Sequence, residues 1–159
     1  MLAVASVVTP SVRLVYNASD SAPTGWYVIR PAQELMLGQY VVARLPDQVA
    51  ALAAKRGYLP RGVPVLKRIA ALPGQHVCML QSSVQIGTDL VAETLRTDRV
   101  GRALSPWRGC RTLLADELFL LNADHPASFD SRYFGPLDRS FVQGVAVRLS
   151  TFREQGGSR

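Results

Sequence analysis

Residues 17–27 read NASDSAPTGWY, small hydroxyl and amide side chains followed by a proline, a glycine and two aromatics. Taken alone this is a turn, because serine hydroxyls bond nearby backbone and Pro and Gly are turn formers. Chemistry enters if Ser21 finds a base. Histidine is the usual base for a serine nucleophile, but only His76, where a strand-like run starts, and His125, in the polar loop NADHPAS, are present. Neither sits in a triad-like motif. A lysine can serve instead when its amine is kept neutral, which apolar burial favours.

The chain has two lysines. Lys55 falls near the exposed end of a helical segment, where a cation meets the helix dipole favourably. Lys67 lies in VPVLKRIAALPG, among Val65, Leu66 and Ile69, and is the candidate base. Its ordinary pKa of about 10.4 must fall a long way for that role. The competing structural reading is an edge-strand lysine that discourages aggregation. A third stretch, NADHPASFDSRYFGPL (122–137), adds Ser128, Ser131, Asp130 and Arg132. In an extended segment Asp130 and Arg132 project to one side and can pair.

The elements that must position these groups are short. Strand-like runs occur at 11–16, 39–45, 76–80, 83–86, 90–95, 111–114, 117–122 and 141–150, separated by Gly and Pro. VLKRIAAL (65–72) is compatible with a strand, but its length does not separate it from a short helix. DQVAALAAKR (47–56) is the one clear helix signal, with Asp47 expected as its N-cap and Gly57 ending it. Many short strands with frequent turns predict a mainly β, antiparallel fold.

With 159 residues and a formal net charge of +6, the chain suits one domain, or a core domain with an insertion. Its arginines are dispersed, with no basic run or zinc-finger spacing, which argues against nucleic acid as a partner. Cys78 and Cys110 lack C-x-x-C spacing and clustered histidines, so no metal is expected. By themselves they read either as one disulfide in an oxidising compartment or as two small apolar residues in a reducing one. The opening MLAVASVV is apolar but shorter than the roughly 20 residues a spanning helix needs.

Three blocks in order, SDSAP with Ser21, LKRIAALPG with Lys67 and SFDSRYFG with Asp130–Arg132, resemble the type I signal peptidase family. The pattern N-x-S-x-S-x-P-x-G-x-Y and the C-terminal SFDSRYFGP are most similar to its conjugative-transfer branch, which processes pilin subunits. The resemblance implies a signal-peptidase-like antiparallel β catalytic core with a smaller β extension and one short helix. It divides the chain into residues 1–16 (remnant of a membrane anchor plus first strand), 17–152 (peptidase domain, with the extension at about 76–115) and 153–159 (flexible tail).

By the same resemblance Ser21 is the nucleophile and Lys67 the general base. Ser19 helps bind the oxyanion, Ser128 orients the lysine, and Asp130, Ser131 and Arg132 support the site. No cofactor is implied. The partners would be an exported, pilin-like precursor with small residues near the cut, and the cytoplasmic membrane, on its periplasmic side. That location is oxidising and favours a Cys78–Cys110 disulfide. Two alternatives remain: a non-catalytic envelope or assembly protein on a peptidase scaffold, and a self-cleaving repressor, which would need a DNA-binding domain before Asn17.

Overall fold

The computed structural model describes residues 13–149, so the apolar opening and the C-terminal tail read above lie outside the described residues. Seven antiparallel strands form the main sheet, in the order β1-β2-β11-β3-β4-β9-β10. These are β1 (Arg13–Asn17), β2 (Gly25–Arg30), β3 (Tyr40–Ala43), β4 (Val65–Ala71), β9 (Glu117–Leu120), β10 (Leu137–Asp138) and β11 (Val142–Arg148). A second sheet, ordered β7-β6-β5-β8, is built from β5 (His76–Leu80), β6 (Ser83–Ile86), β7 (Asp89–Glu93) and β8 (Cys110–Thr112). Cys78 and Cys110 are register partners across β5 and β8 and are joined as a disulfide. The fold is mainly β and antiparallel, as the strand-like runs predict.

Four local expectations are corrected. GWYVIR (β2) is not one of the predicted strands, because its glycine and aromatics read as the end of the serine turn; pairing with both β1 and β11 makes it a strand. VLKRIAAL is β4, settled by hydrogen bonding to β3 and β9 on its two sides. The interior position of β4 removes the edge-strand reading of Lys67. Helix α1 (Asp47–Lys55) has Pro46 at its N-cap position with no side-chain cap, and Asp47 lies in the first turn, where its charge favours the helix N-terminus.

The fourth correction concerns 130–134. This segment is not extended, and α1 is not the only helix: Ser131–Phe134 forms a short helix, α2, and Arg139–Phe141 a 3-10 turn. Asp130 caps α2 by accepting from the Arg132 N–H. Gly135 ends it at φ 77°, in the left-handed region that favours glycine, and the Trp107 ring lies where a side chain would be.

Strand periodicity decides what faces the core. In β4, residues 65, 67, 69 and 71 turn inward and the residues between them are less buried. Val65 and Ile69 join Val41, Ala43, Leu118 and Leu120 in the main core. A second cluster, with Ala71, Val77, Val84, Leu113, Phe119 and Leu121, lies against the second sheet. Lys67 therefore stands on the apolar face of a central strand.

Candidate active site

The serine turn leaves β1 at Asn17 and rejoins the sheet at Gly25, whose φ of 135° a side-chain-bearing residue rarely adopts. Asn17 is buried and holds the turn from within. Its Nδ2 donates to the carbonyls of Ser19, Ala22 and Pro23 at 3.0, 3.0 and 3.2 Å. Its Oδ1 accepts from the Ser19 N–H at 3.2 Å and the Ser19 hydroxyl at 2.8 Å. The Tyr27 hydroxyl donates to the Pro23 carbonyl at 2.6 Å. Ser19 Oγ and Ser21 Oγ lie 3.2 Å apart.

Lys67 reaches this turn from β4. Its Nζ is 3.3 Å from Ser21 Oγ and 2.8 Å from Ser128 Oγ, and the residue is only 4% exposed. Burial lowers its pKa to about 8; nearby Asp130 opposes the fall and Arg132 adds to it. Such an amine is neutral in about a tenth of molecules at pH 7 and in about half at pH 8, far more than an ordinary lysine, as a general base requires. Ser128 accepts one amine hydrogen, which orients the nitrogen lone pair.

Behind the lysine, Asp130 and Arg132 are wholly buried and paired at 2.9 Å. Arg132 also donates to the carbonyls of Glu93 and His125 at 3.0 and 2.8 Å, joining the second sheet to the loop that carries Ser128. Ser131 Oγ accepts from the Leu120 N–H at 2.9 Å and ties α2 to β9. Ser19, Ser21, Lys67 and Ser128 thus gather at one point, with Asp130, Ser131 and Arg132 as the buried layer beneath. Cys78 and Cys110 stand apart in the second sheet. With His76 they form the one grouping of metal-ligand types among the described residues, and both sulfurs are in the disulfide.

The profile of the family described as signal peptidase, peptidase S26, matches residues 1–150. The chain belongs to the signal peptidase family. Within it, the chain is 33% identical over 145 residues to the conjugal transfer protein TraF of Agrobacterium fabrum, covering 86% of this chain and 81% of that protein. It is 30% identical over 149 residues to a plasmid transfer protein TraF of Escherichia coli, covering 86% of this chain and 82% of that one. These likenesses put it in the conjugative-transfer branch. A signal peptidase I from Enterococcus faecalis superposes with a TM-score of 0.43 at 20% identity, over 71% of this chain and 97% of that one.

Two residues of this signal peptidase family member carry the site without a role read from sequence. Asn17 is part of the N-x-S-x-S pattern, yet only the structure shows that its amide organises the turn. Asn122 is buried at the end of β9's apolar run. Its Nδ2 donates to the Ser21 carbonyl and, at 3.3 Å, to the Leu66 carbonyl, while its Oδ1 accepts from the Arg68 N–H at 3.0 Å. An amide closing an apolar strand is the only signal the sequence offered for it. Ser21, Lys67 and Ser128 open onto a cleft of about 690 Å3.

Proposed function

We propose that the protein is a serine endopeptidase with a Ser21/Lys67 dyad that processes exported precursor proteins of a conjugative transfer system, the pilin subunit first among them. The observation that carries this reading is the buried Lys67 amine, 3.3 Å from Ser21 Oγ and 2.8 Å from Ser128 Oγ. Ser21 Oγ attacks the scissile carbonyl carbon as its proton passes to Lys67 Nζ. The carbonyl oxygen becomes an oxyanion that the Ser21 N–H and the Ser19 hydroxyl stabilise, the latter turning away from Asn17. Loss of one such donor typically lowers a rate by about 100- to 1000-fold.

Collapse of the intermediate breaks the C–N bond, and Lys67 returns its proton to the leaving amine. The acyl group on Ser21 Oγ is then attacked by water, which releases a linear product, or by the substrate's own amino terminus, which closes a ring. In either step Lys67 accepts the proton of the attacking group and returns one to Ser21 Oγ. Ser128 holds the amine on this line, while Asp130, Ser131 and Arg132 keep the layer behind it rigid.

The site of action in this proposal is the periplasmic side of the cytoplasmic membrane. Its support is an apolar face on the edge of the main sheet that carries β1. Tyr16 on β1 is the register partner of Trp26 on β2, and Leu14 on β1 and Val147 on β11 both lie opposite Val28 of β2. Leu14, Tyr16, Trp26 and Val147 are all more than a third exposed, with the Tyr16 and Trp26 rings packed edge to face. Aromatic and aliphatic groups of this kind suit a membrane interface. No helix among the described residues is long and apolar enough to cross a membrane.

Mass spectrometry of the candidate pilin, coexpressed with wild type or Ser21→Ala, tests the function. Processing by wild type and an intact precursor with the variant is the expected result. A product one water lighter than the linear peptide identifies ring closure. Equal processing by both proteins refutes the dyad and leaves the non-catalytic scaffold as the reading.

A further inference from the structure

The cleft beside Ser21 has a second wall, contributed by the segment after α1 and by residues 95–104. Within the latter, 96–104 folds as a small hairpin. Thr97 and Ala103 form a bridge, the Asp98 N–H donates to the Arg102 carbonyl at 2.9 Å, and the Leu104 N–H donates to the Arg96 carbonyl at 2.9 Å. One carboxylate locks it. Asp98 Oδ1 accepts from the N–H groups of Val100 and Arg102 at 3.1 and 2.9 Å, and Oδ2 from Arg102 Nε at 2.7 Å and the Tyr58 hydroxyl at 2.6 Å. Burial would raise this carboxyl, but Tyr58 and Arg102 outweigh it and hold Asp98 well below the usual carboxylate range.

The lock leaves a charge imbalance. Asp98 is matched by Arg102, but Arg56 meets only neutral oxygens: the Ala103 carbonyl at 2.9 Å and the Tyr58 hydroxyl at 3.3 Å. Arg99, exposed on the hairpin, also lines the cleft. Among the described residues neither Arg56 nor Arg99 has a carboxylate within 4.0 Å. The remaining acid lining the cleft, Asp20, is next to Ser21 rather than on the hairpin. Apolar Leu95 and Val100 line the same cleft, a setting for an extended chain with small or apolar residues and one anionic group.

We infer that Arg56 and Arg99 form a subsite for a carboxylate of the peptide substrate, away from the scissile bond, so that the cleft selects an acidic peptide over its neutral isostere. The inference rests on the peptidase reading of the cleft. Guanidinium groups match carboxylates in a planar fork geometry, and Arg56 is already held in place by the Tyr58–Asp98–Arg102 network. Arg102, anchored to Asp98 and to the Arg56 carbonyl at 2.7 Å, shapes the wall instead of binding. The carboxylate can belong to an Asp or Glu side chain or to the peptide's free C-terminus.

The test uses the Ser21→Ala protein, whose binding does not depend on turnover. The probes are fluorescein-labelled, alanine-rich decapeptides with a single Glu or Gln moved through each position, each made with a free and an amidated C-terminus. Anisotropy should show a Glu peptide at one position, or a free C-terminus, binding about tenfold tighter than its neutral counterpart, a gain of about 1.4 kcal/mol, and weaker at high salt. Arg99→Gln should remove most of that preference, and Arg99→Glu should transfer it to a Lys peptide. Arg99 is on the exposed hairpin tip, so these variants do not depend on rebuilding the Asp98 lock. Equal affinity for acidic and neutral peptides, no detectable binding of any acidic peptide at millimolar concentration, or a preference surviving Arg99→Gln would each overturn the inference. Pilin processing is scored separately. An acidic preference together with equal pilin processing by wild type and Ser21→Ala would sink the dyad and spare the subsite, and pilin processing lost in Ser21→Ala without an acidic preference would do the reverse.

Discussion

The side-chain amide of Asn122 donates to the backbone carbonyl of Ser21 across 101 residues of sequence. The end of β9 is thereby fastened to the turn that presents the serine hydroxyl, and the same side chain binds β4 one residue to either side of Lys67. One amide sets the spacing between two strands and the serine turn.

Asn122→Ala should therefore act on both stability and rate. It leaves the part-buried Leu66 carbonyl and Arg68 N–H short of a partner, at a cost of about 1 kcal/mol in urea unfolding. It also frees the Ser21 backbone, so kcat should fall by at least about tenfold while KM changes little, since displacement of a reacting atom is costly in rate. Unchanged kcat in a folded variant would remove Asn122 from the site.

The pH profile of cleavage should follow the Lys67 amine. Only its neutral form accepts the serine proton, and burial, partly countered by Asp130 and deepened by Arg132, brings its pKa to about 8. Log kcat/KM should climb with unit slope up to about pH 8 and level off above it. A bend near the ordinary lysine value, or a flat profile, would count against Lys67 as base. Ser128→Ala should lower the plateau by misorienting the amine.

The same lysine costs stability. With its pKa lowered on folding, Lys67 opposes folding fully below about pH 8, and the cost fades as pH rises toward the ordinary value of 10.5. The difference corresponds to about 3 kcal/mol, and the lost bond to Ser128 returns about 1 kcal/mol of it. Lys67→Met should be inactive yet more stable than wild type at pH 7, by about 2 kcal/mol. Chemical denaturation at pH 7 and above 10 should show the advantage present at the first and gone at the second.

Breaking the buried Asp130–Arg132 pair should be severe in a way that surface pairs are not. Asp130→Ala leaves a wholly buried guanidinium uncompensated, an effect of about 3–5 kcal/mol, and Arg132→Met does the same to the carboxylate. The double variant should cost clearly less than the two single effects together, because the groups share one interaction. Additive losses in a double-mutant cycle would mean that each acts through its other partners.

Oxidised protein should have no titratable thiols on denaturation, since Cys78 and Cys110 are joined. Replacing both with serine opens a loop with a sequence separation of 32. Loop-closure entropy puts the loss at about 3–4 kcal/mol. Thermal unfolding with and without reductant measures it, and a reductant-insensitive wild type would show that the bond adds nothing.

What the sequence determined by itself was local in origin or carried by motif order. The short runs between Gly and Pro dictate strands, the alanine-rich 47–56 dictates a helix, and three ordered blocks carry the family resemblance. The serine turn was visible because serine, proline and glycine act on their own backbone. Lys67 was visible because an amine among Val65, Leu66 and Ile69 is chemically out of place.

Tertiary structure decided the rest, because long-range contacts are invisible to local propensity. VLKRIAAL is a strand because β3 and β9 hydrogen-bond to it on both sides, and that interior position buries Lys67 and lowers its pKa. GWYVIR is a strand because β1 and β11 accept it, against the turn-like look of its first residues. Asp130 and Arg132 pair through a helix cap, not along an extended chain, because α2 forms where the Trp107 ring and β9 pack against it. Asn17 and Asn122 could not be assigned from sequence for the same reason: a buried amide is defined by the groups it binds, and Asn122's partners lie 54, 56 and 101 residues away.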